Sequence, residues 1–193
     1  MPEEVIPSGK IKCFITGKLR KDTSEERIRQ DVARSLVEEY GYNKTDIGVE
    51  FPIKMGRAKK RADIIIFSED EKHMQENIYM IAEVKTEDVK PSDRKEGVGQ
   101  LGSYIAASPN SAFGLWVGNE RLAFNVVEEK GKRVLTQVPD VPKRGETTIP
   151  KPTRGGLVPA VNLKQVFKRV HNYIYVNQGF QKDKAFEELA IKD

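Results

Sequence analysis

Asp63 opens one short apolar run, Ala62-Asp63-Ile64-Ile65-Ile66-Phe67, and Glu83-Val84-Lys85 closes the next, which begins at Ile78. On a strand, residues i and i+2 share a face, so Glu83 and Lys85 project together while Val84 faces the opposite layer. If the two strands are neighbours, Asp63 joins the pair. Two close carboxylates with no His or Cys beside them form an all-oxygen donor set, which favours a hard cation such as Mg²⁺. An ion held by Asp63, Glu83 and the carbonyl of Val84 would grip a phosphate oxygen and lower the pKa of a bound water. Lys85 would orient that water or offset charge developing on the phosphate. The implied chemistry is phosphodiester hydrolysis. Arg57, Lys59, Lys60 and Arg61 lead directly into Asp63 and offer charge to a polyanion. Solvated strand-end charges and a basic loop produce the same pattern, so these residues alone leave both readings open.

Other chemistries find little support. No Gly-x-x-x-x-Gly-Lys-[Ser/Thr] occurs, and Gly17-Lys18 runs into Leu19, so ATP hydrolysis is not expected. His73 and His171 lack a nucleophile pattern. Trp116 and Phe113 fall in an apolar strand and read as core.

The elements that must position the acids follow from periodicity. Ile28, Val32, Leu36, Val37 and Tyr40 recur at helical spacing after Thr23-Ser24-Glu25-Glu26, which predicts a helix over residues 24–40 with Gly41 at its C′ position. Thr23 and Glu26 also have capping-box spacing. Ile47, Val49, Phe51 and Ile53 alternate with polar residues as one face of a strand ending near Met55-Gly56, and Pro52 pushes it toward a sheet edge. The two apolar runs read as central strands. A helix of about ten residues follows, with Val98, Leu101 and Ile105 on one face, and Gly99, Gly102 and Ala106 as small packing positions. Pro109-Asn110 closes it. Strands near Ala112–Val117, Arg121–Val127 and Arg133–Val138 complete an α/β fold, a mixed sheet flanked by helices.

Pro139, Pro142, Pro150, Pro152 and Pro159 crowd residues 139–159, which predicts a Pro/Gly-rich basic linker and a compact domain over 1–138. Leu163, Val166, Phe167, Val170 and Ile174 then trace a helix face, and a second helical piece covers 184–191. Residues 160–193 are too few for their own core and read as the helical start of a further domain. The 193 residues carry 33 Lys+Arg against 29 Asp+Glu, a net charge of +4. Lys143, Arg144, Lys151, Arg154, Lys164, Lys168 and Arg169 face only Glu146 between Val141 and Val170, a candidate polyanion strip. One cysteine, Cys13, excludes an internal disulfide framework and fits a reducing compartment. No membrane span or signal peptide is legible, so a soluble cytoplasmic protein is expected.

Four motifs in order, Glu25-Glu26-Arg27-Ile28-Arg29-Gln30, Arg61-Ala62-Asp63-Ile64, Ala82-Glu83-Val84-Lys85 and Gln100-Leu101-Gly102-Ser103-Tyr104, make residues 10–138 resemble the N-terminal nuclease domain of type I restriction enzyme R subunits, within the PD-(D/E)XK superfamily. Ala62 replaces the proline of that name. The resemblance implies a restriction-endonuclease-like fold and cleavage of double-stranded DNA in a prokaryotic cytoplasm. It implies Mg²⁺ as cofactor, with Mn²⁺ able to substitute. It makes Asp63 and Glu83 metal ligands, Lys85 the catalytic lysine and Glu26 (or Glu25 in its place) the helix acid supporting the metal. Gln100 and Tyr104, at i and i+4, match the QxxxY element and stand beside the DNA backbone, with Lys59, Lys60 and Arg61 as further DNA contacts. The tail, Val161-Asn162-Leu163-Lys164 through Tyr175 and Lys184–Leu189, is similar to the helical entry of adenine DNA methylases fused behind such nucleases. Methylase, specificity or motor domains of a larger restriction complex are the implied partners. The competing reading is a silent nuclease-like module that binds DNA or docks subunits. A third makes residues 141–193 a basic tether.

Overall fold

The structure, a computed structural model, describes residues 6–146 and 163–178. A two-stranded hairpin, β1 (Lys10–Lys12) and β2 (Leu19–Lys21), precedes helix α1 (Ser24–Glu38). The six-stranded sheet runs in the order β3 (Ile47–Met55), β4 (Ala58–Phe67), β5 (Ile78–Val84), β6 (Phe113–Val117), β7 (Arg121–Glu129), β8 (Lys132–Val138). β5 and β6 pair in parallel through the crossover helix α2 (Val98–Ala106), and every other neighbouring pair is antiparallel. This is the expected mixed α/β sheet, with Pro52 on an edge strand and both apolar runs inside.

Helix α1 starts where the Glu26 N–H donates to Thr23 Oγ1 at 3.1 Å. It stops at Gly41, whose φ of 76° lets the N–H groups of Gly41 and Tyr42 turn back onto the carbonyls of Val37 and Leu36. Val32, Ala33 and Leu36 bury against Ile64, Ile66, Ala82, Val84, Leu115 and Val117 on one sheet face. Leu101, Tyr104 and Ile105 of α2 cover Ile65, Ile81, Trp116 and Phe124 on the other. Fully burying one such aliphatic or aromatic side chain is worth about 1.5–3 kcal/mol, so both helices are fixed mainly by the sheet. Of the three small residues of α2 expected to pack, Gly102 faces Leu135, whose Cδ1 would lie 3.6 Å from a Cβ added there; a side chain at Gly99 would meet open space, and Ala106 is exposed.

One departure matters for the site. Strict alternation would put Ile47, Val49, Phe51 and Ile53 on a single face, yet Ile47 belongs to the α1 cluster while Phe51 and Ile53 join the α2 cluster. The switch occurs at Glu50, whose φ is 51°. Glu50 and Asp63 face each other at a rung that the β3–β4 ladder skips. Beyond it, Ala62 also changes cluster.

Gly97 caps α2 where no side chain fits. A Cβ there would overlap the carbonyl oxygens of Pro91 and Asp93 and stand 2.8 Å from the Asp93 nitrogen, all of it backbone. Gly97→Ala is expected to cost about 1–3 kcal/mol by overpacking, read as a lowered urea midpoint at unchanged m value.

The packed unit runs past Val138. Val141 lies in the α1 cluster, the Tyr42 hydroxyl donates to the Pro142 carbonyl at 2.9 Å, and Arg144 pairs with Glu69. Proline content here excludes a regular element without excluding burial. Helix α3 (Leu163–Gln178) packs on β7 and β8. Its Asn172 is buried, donating to the carbonyls of Val138 and Pro139 and accepting from Gln137. The expected helical piece at 184–191 and most of the 139–159 linker lie outside the described residues. Among the described residues, no helix is long and apolar enough to cross a membrane.

Candidate active site

Strand pairing brings the three predicted side chains together. Ile64 pairs with Ala82 across β4 and β5, so Asp63 stands beside the end of β5, and Asp63 Oδ2 accepts the Val84 N–H at 2.9 Å. Lys85 Nζ donates to Glu83 Oε1 at 2.8 Å. All three side chains are nearly enclosed: Asp63 is 8% exposed, Glu83 1% and Lys85 7%. The Lys85 N–H is held by the Val117 carbonyl at 2.7 Å, which extends the β5–β6 pairing one residue past the strand and fixes the lysine backbone.

The electrostatics are those of anions short of cation. Burial, then the Asp63 charge, push the Glu83 carboxyl up to about 8, against the pull of Lys85. Asp63 is also raised, by burial, although Arg29, the Val84 N–H and Lys85 oppose this. Lys85 is raised because its two carboxylate neighbours outweigh a desolvation that acts the other way. Glu83 Oε2 is buried with no hydrogen-bond donor, a costly state for an acceptor. An oxygen-coordinating divalent cation fits this vacancy in the donor set. Among the described residues no group of three His, Cys, Asp or Glu side chains is poised for a metal, so further ligands would be backbone carbonyl or water.

Both candidate helix acids lie in the ion-pair cluster around Arg29. Glu26 is buried among its own partners: Oε2 is 2.8 Å from Arg29, Oε1 is 3.8 Å from Arg20, and Gln30 donates to it. Thr23 does cap the helix through the Glu26 N–H. The charge of Glu25 also acts on Asp63 and Lys85, raising the pKa of both. At i+4 and i+3 from Arg29, both acids meet its guanidinium, Glu26 buried and Glu25 half-exposed.

Sequence reasoning missed Arg29. Its guanidinium reaches Asp63 Oδ1 at 3.2 Å, Glu26 at 2.8 Å, Glu50 at 3.3 Å and Glu25 at 3.4 Å, tying α1 to the kink in β3 and to β4. The spacing of Arg29 from Glu25 and Glu26, i+4 and i+3, was the available signal. Arg20 reaches the other oxygen of Glu50 at 2.7 Å. On α2, Gln100 Nε2 donates to the Tyr104 hydroxyl at 2.7 Å, and the charges of Glu83, Lys85 and Asp63 all act on Tyr104. The QxxxY pair therefore borders the three predicted residues.

The basic residues divide. Lys59, Lys60 and Arg61 form the outer half of β4, exposed and paired across from Lys54, Ile53 and Pro52, so they are strand rather than loop. Arg61 helps to hold Glu50 below the usual carboxylate range, though Arg20 does most of this. Four described residues of the strip after Val141 find acids within the chain: Arg144 pairs with Glu69, Lys164 and Lys168 share Glu87, and Arg169 pairs with Glu39. Lys151 and Arg154 lie outside the described residues. His73 stacks on Phe67 with ring centroids 4.1 Å apart, and Trp116 is fully buried, donating to the Glu96 carbonyl.

The family model for the type I restriction enzyme R protein N terminus matches residues 24–142, a span that runs from α1 through the site to Val141 and Pro142. The chain belongs to that family. No match was found among the curated proteins or the solved structures. Membership as a type I R protein N-terminal domain sets the chain in a restriction-endonuclease context.

Proposed function

We propose that this domain is a Mg²⁺-dependent DNA endonuclease in which Asp63, Glu83 and Lys85 carry phosphodiester hydrolysis. The observation that carries the reading is the enclosed Asp63–Glu83–Lys85 cluster, with one Glu83 oxygen lacking any donor and the Glu83 carboxyl pushed up to about 8. A bound Mg²⁺ would supply Lewis-acid activation of the phosphate and a more acidic water. Asp63, Glu83 and the Val84 carbonyl would hold it. Lys85 keeps an ammonium at the same strand end, able to orient a water and to face charge that develops on the phosphate. Glu25 stands as an outer acid, and Gln100 and Tyr104 border the cluster on the side of α2. Lys59, Lys60 and Arg61 would meet the phosphate backbone of double-stranded DNA. Other subunits or domains of a type I restriction complex are the proposed partners.

The test is nicking of supercoiled plasmid at low salt with Mg²⁺ or Mn²⁺, with EDTA as control and Asp63→Ala as comparison. Metal-dependent nicking lost in Asp63→Ala supports the reading. A wild-type protein that neither nicks nor binds Mn²⁺ by calorimetry would favour a silent DNA-binding or docking module.

The metal reading carries a pH signature. A carboxyl raised in the folded protein keeps its proton after the unfolded chain has lost its own, so Glu83 makes the metal-free domain less stable as pH climbs from its ordinary pKa of 4.5 to about 8. Metal binding needs the carboxylate, so it must expel that proton. Mn²⁺ affinity is expected to rise by about tenfold per pH unit between pH 6 and 8 and then level off. A flat profile in calorimetry, with no proton released to buffer, would contradict this.

A further inference from the structure

Cross-strand charge pairing differs sharply among the antiparallel hairpins. In β7–β8 the cross-strand partners are opposite in sign: exposed Glu129 stands across from exposed Lys132, and Glu128 across from Arg133, whose guanidinium turns onto the carbonyls of Ile105, Ser108 and Ser111. In β1–β2, Lys10 stands directly across from Lys21, and in β3–β4, Lys54 stands across from Lys59. All four lysines are exposed, and none has an ion-pair partner among the described residues. Like charges directly opposite destabilise a strand pair, whereas opposite charges support it. The penalty falls hardest on β1–β2, whose strands have three residues each.

What holds β1–β2 in place is its other face. Arg20 turns inward to Glu50 at 2.7 Å, Glu50 meets Arg29 at 3.3 Å, and Arg29 meets Asp63 at 3.2 Å. Cys13 is buried at the end of β1, and the Phe14 N–H donates to Gln30 Oε1. Neighbours along a strand point to opposite faces, so this anchorage leaves Lys21 and its partner Lys10 turned outward. The exposed Lys18 adds a third ammonium in the connecting turn. The hairpin thus reaches the Asp63 carboxylate through a chain of ion pairs and presents, on its far side, lysines with no ion pair among the described residues.

We infer that β1–β2 is a second DNA-backbone contact, in which Lys10 and Lys21, with Lys18, bind phosphates of duplex DNA. This rests on the nuclease reading for its choice of polyanion. Phosphate supplies the counter-charge that the Lys10–Lys21 rung lacks, and lysine ammoniums on a backbone contact bring affinity without base selectivity.

The experiment is fluorescence anisotropy of a labelled duplex in EDTA over a salt series, with cleavage and Mn²⁺ binding measured separately. Neutralising both hairpin lysines in Lys10→Gln/Lys21→Gln should weaken binding equally on unrelated sequences. It should reduce the slope of log K against log salt by about 2, since each lost phosphate contact removes about 0.9. Lys132→Gln on β8, whose lysine faces Glu129, should leave the slope unchanged. The doubly substituted protein should melt no lower than wild type, because a repulsive pair has been removed. A wild-type slope in that protein would overturn the hairpin contact while metal-dependent, Asp63-dependent nicking left the nuclease reading standing. A wild-type protein with no duplex affinity at the lowest salt would overturn the contact as well. Intact duplex binding without nicking or Mn²⁺ binding would sink the nuclease reading alone.

Discussion

The Lys85→Ala protein is expected to bind Mn²⁺ at least as tightly as wild type and to nick supercoiled plasmid about 10²–10³-fold more slowly. The two halves of that result come from one contact. Lys85 Nζ sits 2.8 Å from Glu83 Oε1, where it competes for an oxygen that a metal would use. Removing the ammonium frees both oxygens of Glu83, because Oε2 already has no donor. The same removal takes away the one cationic side chain paired directly with Glu83, so charge developing on the phosphate loses its local counterpart. The comparison variant separates the roles: Asp63→Ala should lose metal binding and nicking together. Because Glu83 already holds its proton up to about pH 8, it can meet the loss of Lys85 by staying neutral, and the fold should survive near pH 7. Loss of both Mn²⁺ binding and nicking in Lys85→Ala, with an unchanged melt, would make the lysine an organiser of the metal ligands. Full nicking would remove it from the reaction.

How much of this was legible depends on what each residue's neighbours are. Strand β5 reads directly from its sequence, Ile78–Val84, because a strand buried on both faces is apolar along nearly all its length, Glu83 being the exception. Its neighbour β4 is longer than its apolar run: Lys59, Lys60 and Arg61 project past the core, so hydropathy marks only where the strand enters it. The face change at Glu50 is invisible in sequence, since a non-glycine residue with positive φ carries no reliable signal. That kink sets Glu50 against Arg20 and Arg29 and so couples the first hairpin to the site. Hairpin β1–β2 itself escapes periodicity because three-residue strands contain too few alternations. For the site, i and i+2 spacing on a strand sufficed to unite Glu83 and Lys85, adjacency of the two apolar strands added Asp63, and the ordered motifs supplied Gln100 and Tyr104. Arg29 was missed because an arginine on a polar helix face looks solvated until the acids it gathers from three elements are brought together.

The carboxylate of Asp140 is where the expected boundary at Val138 meets its strongest test. Asp140 Oδ1 accepts from Arg121 at 2.7 Å and from the Val141 N–H at 2.8 Å, and the Tyr40 hydroxyl donates to the carboxylate at 2.7 Å. The same hydroxyl accepts from Arg121 at 2.9 Å and from Arg169 of α3 at 2.8 Å. Burial, together with the Asp140 charge and against both arginines, keeps Tyr40 well above its ordinary pKa, so it remains a donor at any physiological pH. Arg121 is 4% exposed and has no other described carboxylate within ion-pairing distance. Asp140→Ala therefore strands a buried guanidinium and should destabilise the domain by about 3–5 kcal/mol, measured by urea unfolding. Removing both charges in Arg121→Met/Asp140→Ala should cost clearly less than the sum of the single changes, since the uncompensated ion is then gone. A cost within about 0.5 kcal/mol for Asp140→Ala, the range of ordinary surface substitutions, would mean that folding ends at Val138 after all. The large value would instead make the segment through Pro142 part of the cooperative unit, clamped to α1 by Tyr40 and to β7 by Arg121.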